Sequence, residues 1–135
     1  MGMTFAEKVL ANKSGRSHVT PGEFVIAKVD GSLANDVTAP LLVRRFREME
    51  LQSPYPLPGG FEIYADHYVP APTIRTAMEH KNVREFCQKH GCFFSEPGNG
   101  GHLRLPIERG HCRPGMLSRV AEDFYHQITV SVDHF

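Results

Sequence analysis

The stretch Phe61-Glu62-Ile63-Tyr64-Ala65-Asp66-His67-Tyr68-Val69-Pro70 decides the fold. Its first five residues read as a short strand, and Pro72-Thr73 just beyond it opens an amphipathic helix. A strand that hands over directly to a helix is the building unit of a parallel sheet, because parallel neighbours need a crossover between them. Ligands of open parallel sheets lie beyond the carboxyl ends of the strands. Asp66 and His67 therefore place a carboxylate and an imidazole where such a sheet does its chemistry.

Working outward, Thr4-Phe5-Ala6-Glu7 is a capping box, with Phe5, Ala6, Val9 and Leu10 forming one apolar stripe. A first helix is predicted over residues 4 to 13, ended by Gly15. Pro21-Gly22 is a turn, and Phe24-Val25-Ile26-Ala27 has the length and character of a strand. Residues 31 to 36 read as loop. Asp36 or Thr38 can cap a second helix with Pro40 in its first turn. Leu42, Phe46 and Met49 would form its buried face, with Arg44, Arg45 and Glu48 in water. The stretch from Gln52 to Gly60, rich in proline and glycine, reads as a connection. The third helix is predicted from Pro72-Thr73 to just before Gly91, with Ile74, Ala77, Met78, Val83, Phe86 and Cys87 as its apolar positions. Cys92-Phe93-Phe94 is another short strand, and the loop Pro97-Gly98-Asn99-Gly100-Gly101 delivers His102. The expected fold is three-layer α/β/α with a mostly parallel sheet. Residues 118–135 form a distinct tail in which Ile128, Val130 and Val132 alternate with polar residues. That period of two predicts a half-buried strand at the sheet edge, with a partly exposed apolar face.

Bulk properties exclude several classes. A chain of 135 residues fits one domain, and 15 basic against 15 acidic residues leave no global field for nucleic acid or an anionic membrane. No run approaches the roughly 18 apolar residues of a membrane span, and the N-terminus lacks the apolar core of a secretory signal. A cytoplasmic protein is the expectation. Three cysteines, Cys87, Cys92 and Cys112, leave one thiol over whatever bridge is drawn, and their spacing contains no CxxC. No metal site is expected from them, nor from His111-Cys112 with His102.

Several motifs occur in an order that is more specific than any one of them. They are Pro21-Gly22-Glu23, Ala27-Lys28-Val29-Asp30, Asn35-Asp36-Val37-Thr38-Ala39-Pro40, Asp66-His67-x-Val69-Pro70, Glu79-His80 with Arg84-Glu85-Phe86, Gly101-His102-x-x-Leu105-Pro106, and Arg113-Pro114-Gly115. Together with Met1-Gly2-Met3-Thr4, this series resembles the N-terminal part of the 3-isopropylmalate dehydratase large subunit and its homoaconitase relatives, in the aconitase superfamily. The resemblance covers residues 1–117 and implies a partial aconitase-type domain. It implies a hydro-lyase that isomerises a hydroxy acid by dehydration and rehydration, using a [4Fe-4S] cluster. It also implies that Asp66 and His67 are an active-site pair, that His102 is an active-site histidine, and that Asn35 reaches substrate. Hydroxide departure needs a proton, which an imidazole held by a carboxylate can supply near neutral pH.

The departures from that pattern are specific. Leu103 stands where the family has glutamine, and residues 118–126 do not follow the family's next strand and turn. The cluster cysteines of the family come much later in its sequence, and a cluster needs about four ligands. No cofactor is therefore expected in this chain alone. The expected partners are the remaining large-subunit domains or a small subunit, with weak binding of a small hydroxy acid. Each site residue also has a plainer reading: Asp66 as a helix cap, His67 and His102 as exposed loop residues. Two functions stay open, a hydro-lyase fragment inactive by itself and a noncatalytic binding module that keeps the fold. An adjacent reading frame encoding the missing domains would favour the first.

Overall fold

The computed structural model describes residues 2–51, 61–122 and 125–130, the last of these by backbone. The first helix, α1 (Phe5–Ser14), starts at Thr4, whose hydroxyl accepts from the Glu7 amide at 3.3 Å while the Glu7 carboxylate accepts from the Thr4 amide at 2.6 Å. It stops at Gly15, where φ is 70°. Then follow β1 (Gly31–Asn35), α2 (Ala39–Glu48), β2 (Phe61–Tyr64), α3 (Ile74–His90), β3 (Phe93–Ser95), a single turn α4 (Leu105–Glu108), β4 (Leu117–Glu122) and β5 (Tyr125–Val130). The sheet order is β3-β2-β1-β4-β5, with the first four strands parallel and β5 antiparallel to β4. The expected α/β class holds.

One expected strand is absent and an unexpected one takes its place. Residues 24–27 form no strand; Phe24 and Ile26 are 97% and 95% exposed. The segment 31–36, expected as loop, contains β1, the central strand. Propensity favours the apolar run, but strand formation is decided by partners. Gly31-Ser32-Leu33-Ala34-Asn35 has small side chains that fit between covered faces, and it pairs with β2 on one side and β4 on the other. Asp30 locks its start. The Asp30 amide donates to the Leu117 carbonyl at 2.8 Å, its carboxylate accepts from the Leu117 amide at 2.8 Å, and Lys13 lies 2.7 Å away.

Side chains alternate across the strands, so the two sheet faces bury different sets. Ala34 and Ile63 face α2 and α3, where they pack with Ala39, Val43, Val83, Phe86 and Cys87. Leu33, Tyr64 and Val120 face the other way, beneath Phe93, Leu105 and Cys112. The expected faces of the two long helices are shifted. Met49 is the exposed C-cap of α2, and its buried residues are Ala39 and Val43, with Leu42 and Phe46 packed alongside. At the start of α3, Ile74 and Met78 are exposed, whereas His80 is buried. Its ends are where the sequence puts them: Thr73 accepts from the Thr76 amide at 3.1 Å, and Gly91 at φ 68° closes the helix. Among the described residues, no helix is long and apolar enough to cross a membrane.

The residues after 117 divide between an interior strand, β4, and the edge strand, β5. Of the expected apolar face of the tail, Ile128 and Val130 are described by backbone only, in β5, and Val132 lies outside the described residues, as does the connection 52–60. Amides of β5 that point toward β4 are expected to exchange with solvent about tenfold or more slowly than free peptide. Hydrogen-exchange NMR checks this, and free-peptide rates throughout 127–132 would remove the β4–β5 pairing.

Candidate active site

Three strands run parallel and end at one rim, and each delivers polar residues there. β1 ends on Asn35 with Asp36 next, beyond β2 come Asp66 and His67, and the glycine loop after β3 brings in His102. This rim adjoins the point where strand order reverses, between β1 and β4, the usual crevice of an open parallel sheet.

Asp66 is the centre of the site. One carboxylate oxygen lies 2.7 Å from Nδ1 of His67. The other accepts from the backbone amide of His102 at 2.6 Å and lies 2.8 Å from that residue's Nδ1. The two rings stand 5.4 Å apart. The fit at Gly101 is close: a Cβ there would meet the Asp66 oxygen at 3.3 Å, and the carboxylate would have to give by a few tenths of an ångström. Burial pushes the Asp66 carboxyl up, but the hydrogen bonds from the His102 amide and from both imidazoles outweigh it. They hold the carboxyl below the usual aspartate range.

Asn35 is fully buried. Its Oδ1 accepts from the Val37 and Thr38 amides, each at 3.0 Å, and this fixes which way the amide faces. Its Nδ2 is thereby turned to Nε2 of His67, 3.4 Å away. An amide nitrogen donates, so neutral His67 keeps its proton on Nδ1, facing Asp66, and a lone pair on Nε2. The His67 side chain is 34% exposed, against 5% for His102. Of the two rings, His67 is the one a ligand can reach, and Asn35 meets that ring rather than open solvent.

Two further residues belong to this network. Asp36 accepts from the backbone amides of Asp66, His67 and Tyr68 at 3.3, 2.9 and 2.9 Å. His80 reaches the same carboxylate from α3 through Nε2 at 2.9 Å. The sequence does carry a sign of His80, which falls three and seven residues before Val83 and Cys87 on the apolar side of the helix. For Asp36, the sequence suggested only a cap for the second helix.

Donor atoms of Asp66, His67 and His102 lie within 4.8 Å of one another, close enough for an ion. Both imidazoles direct Nδ1 at the same carboxylate, so an ion bound through those two nitrogens would displace two hydrogen bonds. His111 and Cys112 stand elsewhere: His111 pairs with Glu62 at 2.5 Å, and the Cys112 thiol lies 3.8 Å from the Ser118 hydroxyl. The three thiols do not converge. Cys87 and Cys92 belong to the core under α2 and α3, while Cys112 packs on the opposite sheet face. Burial pushes Cys87 up to about 12 and raises the other two thiols as well. These residues do not fit an iron–sulfur cluster, which needs convergent thiolates.

Curated relatives cover the same span. The 3-isopropylmalate dehydratase large subunit of Aquifex aeolicus is 43% identical over 119 residues, 87% of this chain and 27% of that protein. The chain is a homologue of part of the 3-isopropylmalate dehydratase large subunit. Large subunit 1 of Pyrococcus furiosus is 43% identical over 119 residues, and the large subunit of Thermodesulfovibrio yellowstonii 41% over 120. In each case the chain spans 28% of the relative's length. No protein-family model matches the chain. Asp66, His67 and His102 all lie within the span shared with these dehydratase subunits.

The depressed Asp66 carboxyl has a consequence for stability. A group held below its unfolded value stabilises the fold above that value and loses the contribution as pH falls through the folded one. Urea midpoints of the native chain are therefore expected to drop below roughly pH 4, and Asp66→Asn should flatten that drop. Parallel curves for the two proteins would show that Asp66 is not the group responsible.

Proposed function

We propose that the chain supplies the acid–base part of a hydro-lyase site of the 3-isopropylmalate dehydratase type, and that turnover needs the rest of such a subunit. The observation that carries this reading is the single Asp66 carboxylate shared by the imidazoles of His67 and His102. Dehydration removes a proton from carbon, which we assign to a base in the rest of the subunit, and hydroxide from its neighbour, which leaves readily only when protonated. In its protonated form, His67 donates from Nε2 to the leaving oxygen, which takes the place of the Asn35 amide at that nitrogen. Asp66 holds the ring through Nδ1 and balances its charge, His102 completes the Asp66 shell, and Asn35 sets the facing of Nε2. In the reverse direction the same nitrogen takes the proton back from water.

A [4Fe-4S] cluster would contribute Lewis-acid polarisation of the substrate hydroxyl and carboxylate. Because the three thiols here do not converge, we assign that group to the remainder of the enzyme. The same reading proposes a small hydroxy di- or tricarboxylate as substrate and the remaining large-subunit domains or a small subunit as partner. It further proposes a cytoplasmic setting in leucine biosynthesis or a closely related route.

A chimera tests this. The matching segment of the Aquifex aeolicus large subunit is replaced by residues 1–117 of this chain, and isopropylmalate dehydration is followed. The chimera is expected to turn over, and His67→Ala within it to lose about 10²–10⁴-fold in kcat, the usual worth of a positioned acid or base. Full activity of the His67→Ala chimera would sink the assignment. A noncatalytic module is favoured instead if an otherwise folded chimera, loaded with cluster, shows no turnover at all.

A further inference from the structure

The acid–imidazole contacts do not stop at Asp66. They continue inward to a second pair, Asp36 and His80, which the chemistry above does not use. The Asp36 side chain is 1% exposed and that of His80 is 8% exposed. A buried carboxylate is costly unless its lone pairs are taken up. Here four N–H groups converge on it, and three come from consecutive backbone amides: Asp66, His67 and Tyr68. The fourth is Nε2 of His80, on a different element. Those three amides belong to the loop that carries the catalytic pair, so Asp36 grips the backbone on which His67 is mounted. One of its oxygens also lies 3.9 Å from Nδ1 of His67. The ring that would carry positive charge thus has two carboxylates beside Nδ1 and the Asn35 amide at Nε2.

We infer that Asp36, braced by His80 from α3, is a positioning residue that fixes the orientation and tautomer of His67. A helix-cap role does not account for the geometry. The N-cap of α2 is Thr38, and the contacts of the Asp36 carboxylate described above run to the loop after β2 and to α3. The coupling is through rigid geometry: α3 positions His80, His80 sets the Asp36 carboxylate, and that carboxylate sets the turn at 66–68. The inference deepens the hydro-lyase reading but is tested on the imidazoles, not on turnover. Failure of the chimera would leave it standing, and its own failure would leave the chimera result untouched.

The test uses the 135-residue chain labelled with ¹⁵N. Long-range ¹H–¹⁵N spectra report which nitrogen of neutral His67 carries the proton, and hydrogen exchange reports the amides of 66–68. In the native chain, His67 should show the proton on Nδ1, and the three amides should be protected. Asp36→Asn is expected to mix the two tautomers of His67 and to speed exchange of those amides about tenfold or more. His80→Gln, which keeps a neutral donor for Asp36, should retain the native pattern. A residue that merely stabilises the fold would lower the unfolding midpoint and leave the tautomer of the folded state alone. An unchanged tautomer with unchanged amide protection in folded Asp36→Asn overturns the inference. Should that variant fail to fold, His80→Ala carries the same test, because it deletes one of four donors and keeps the carboxylate. Native behaviour of both readouts there is equally fatal.

Discussion

Replacing Phe86 by alanine is expected to remove about 3–5 kcal/mol of stability, the usual cost of emptying a phenylalanine site in a packed core. Phe86 is 3% exposed and lies in the cluster that joins α2 and α3 to the sheet through Ala34 and Ile63. Its ring meets Phe46 edge-on at 5.1 Å and His90 at 4.5 Å, so the substitution also loses aromatic contacts. Domains of this size have a total stability of roughly 5–15 kcal/mol, so the variant sits near the edge of folding. With a urea slope of about 1–3 kcal/mol/M, the midpoint should fall by more than about 1 M, while Phe86→Leu should cost clearly less. A midpoint shift worth under about 1 kcal/mol, with the slope unchanged, would show that this contact does not hold the helical layer to the sheet.

Chemically, the largest expected effect is an absence. The purified chain, incubated anaerobically with iron and sulfide, is expected to give no isopropylmalate turnover. It is also expected to show no cubane absorbance that survives gel filtration. Three thiols on two sheet faces cannot close on one cluster, and burial keeps each of them protonated at neutral pH. Without a Lewis acid, several kcal/mol of charge stabilisation are missing, and a single imidazole contributes only about 10²–10⁴-fold. Turnover by this chain alone, abolished by His67→Ala, would overturn the reading. Retained cluster absorbance would count against it nearly as strongly.

The site was legible in part because Asp66 and His67 adjoin each other beside a recognisable strand, and His102 follows an equally recognisable glycine loop. What the residues could not convey was how Asp66 divides its two oxygens. A helix cap and a bridge between imidazoles require the same residue at the same place, and only the approach of residues 101–102 makes it the bridge. Asn35 illustrates the same point. The resemblance implied that it reaches substrate; in the structure, complete burial and two backbone donors leave its amide pointing at His67.

Local chemistry was enough for the alternation of strand and helix, the α/β class, and the ends of α1 and α3, because a capping hydroxyl or a left-handed glycine acts within a few residues of itself. It was also enough to bring Asp66 and His67 to a strand's carboxyl end. Tertiary structure alone decided which segment became the central strand. Phe24-Val25-Ile26-Ala27 has the stronger propensity, but Gly31–Asn35 has neighbours on both sides and side chains small enough for a doubly covered position. It alone decided, too, that Asp36 and His80, 44 positions apart, would meet inside the protein. A buried carboxylate takes its partners from whatever donors the packing brings within reach, and no local pattern encodes that distance.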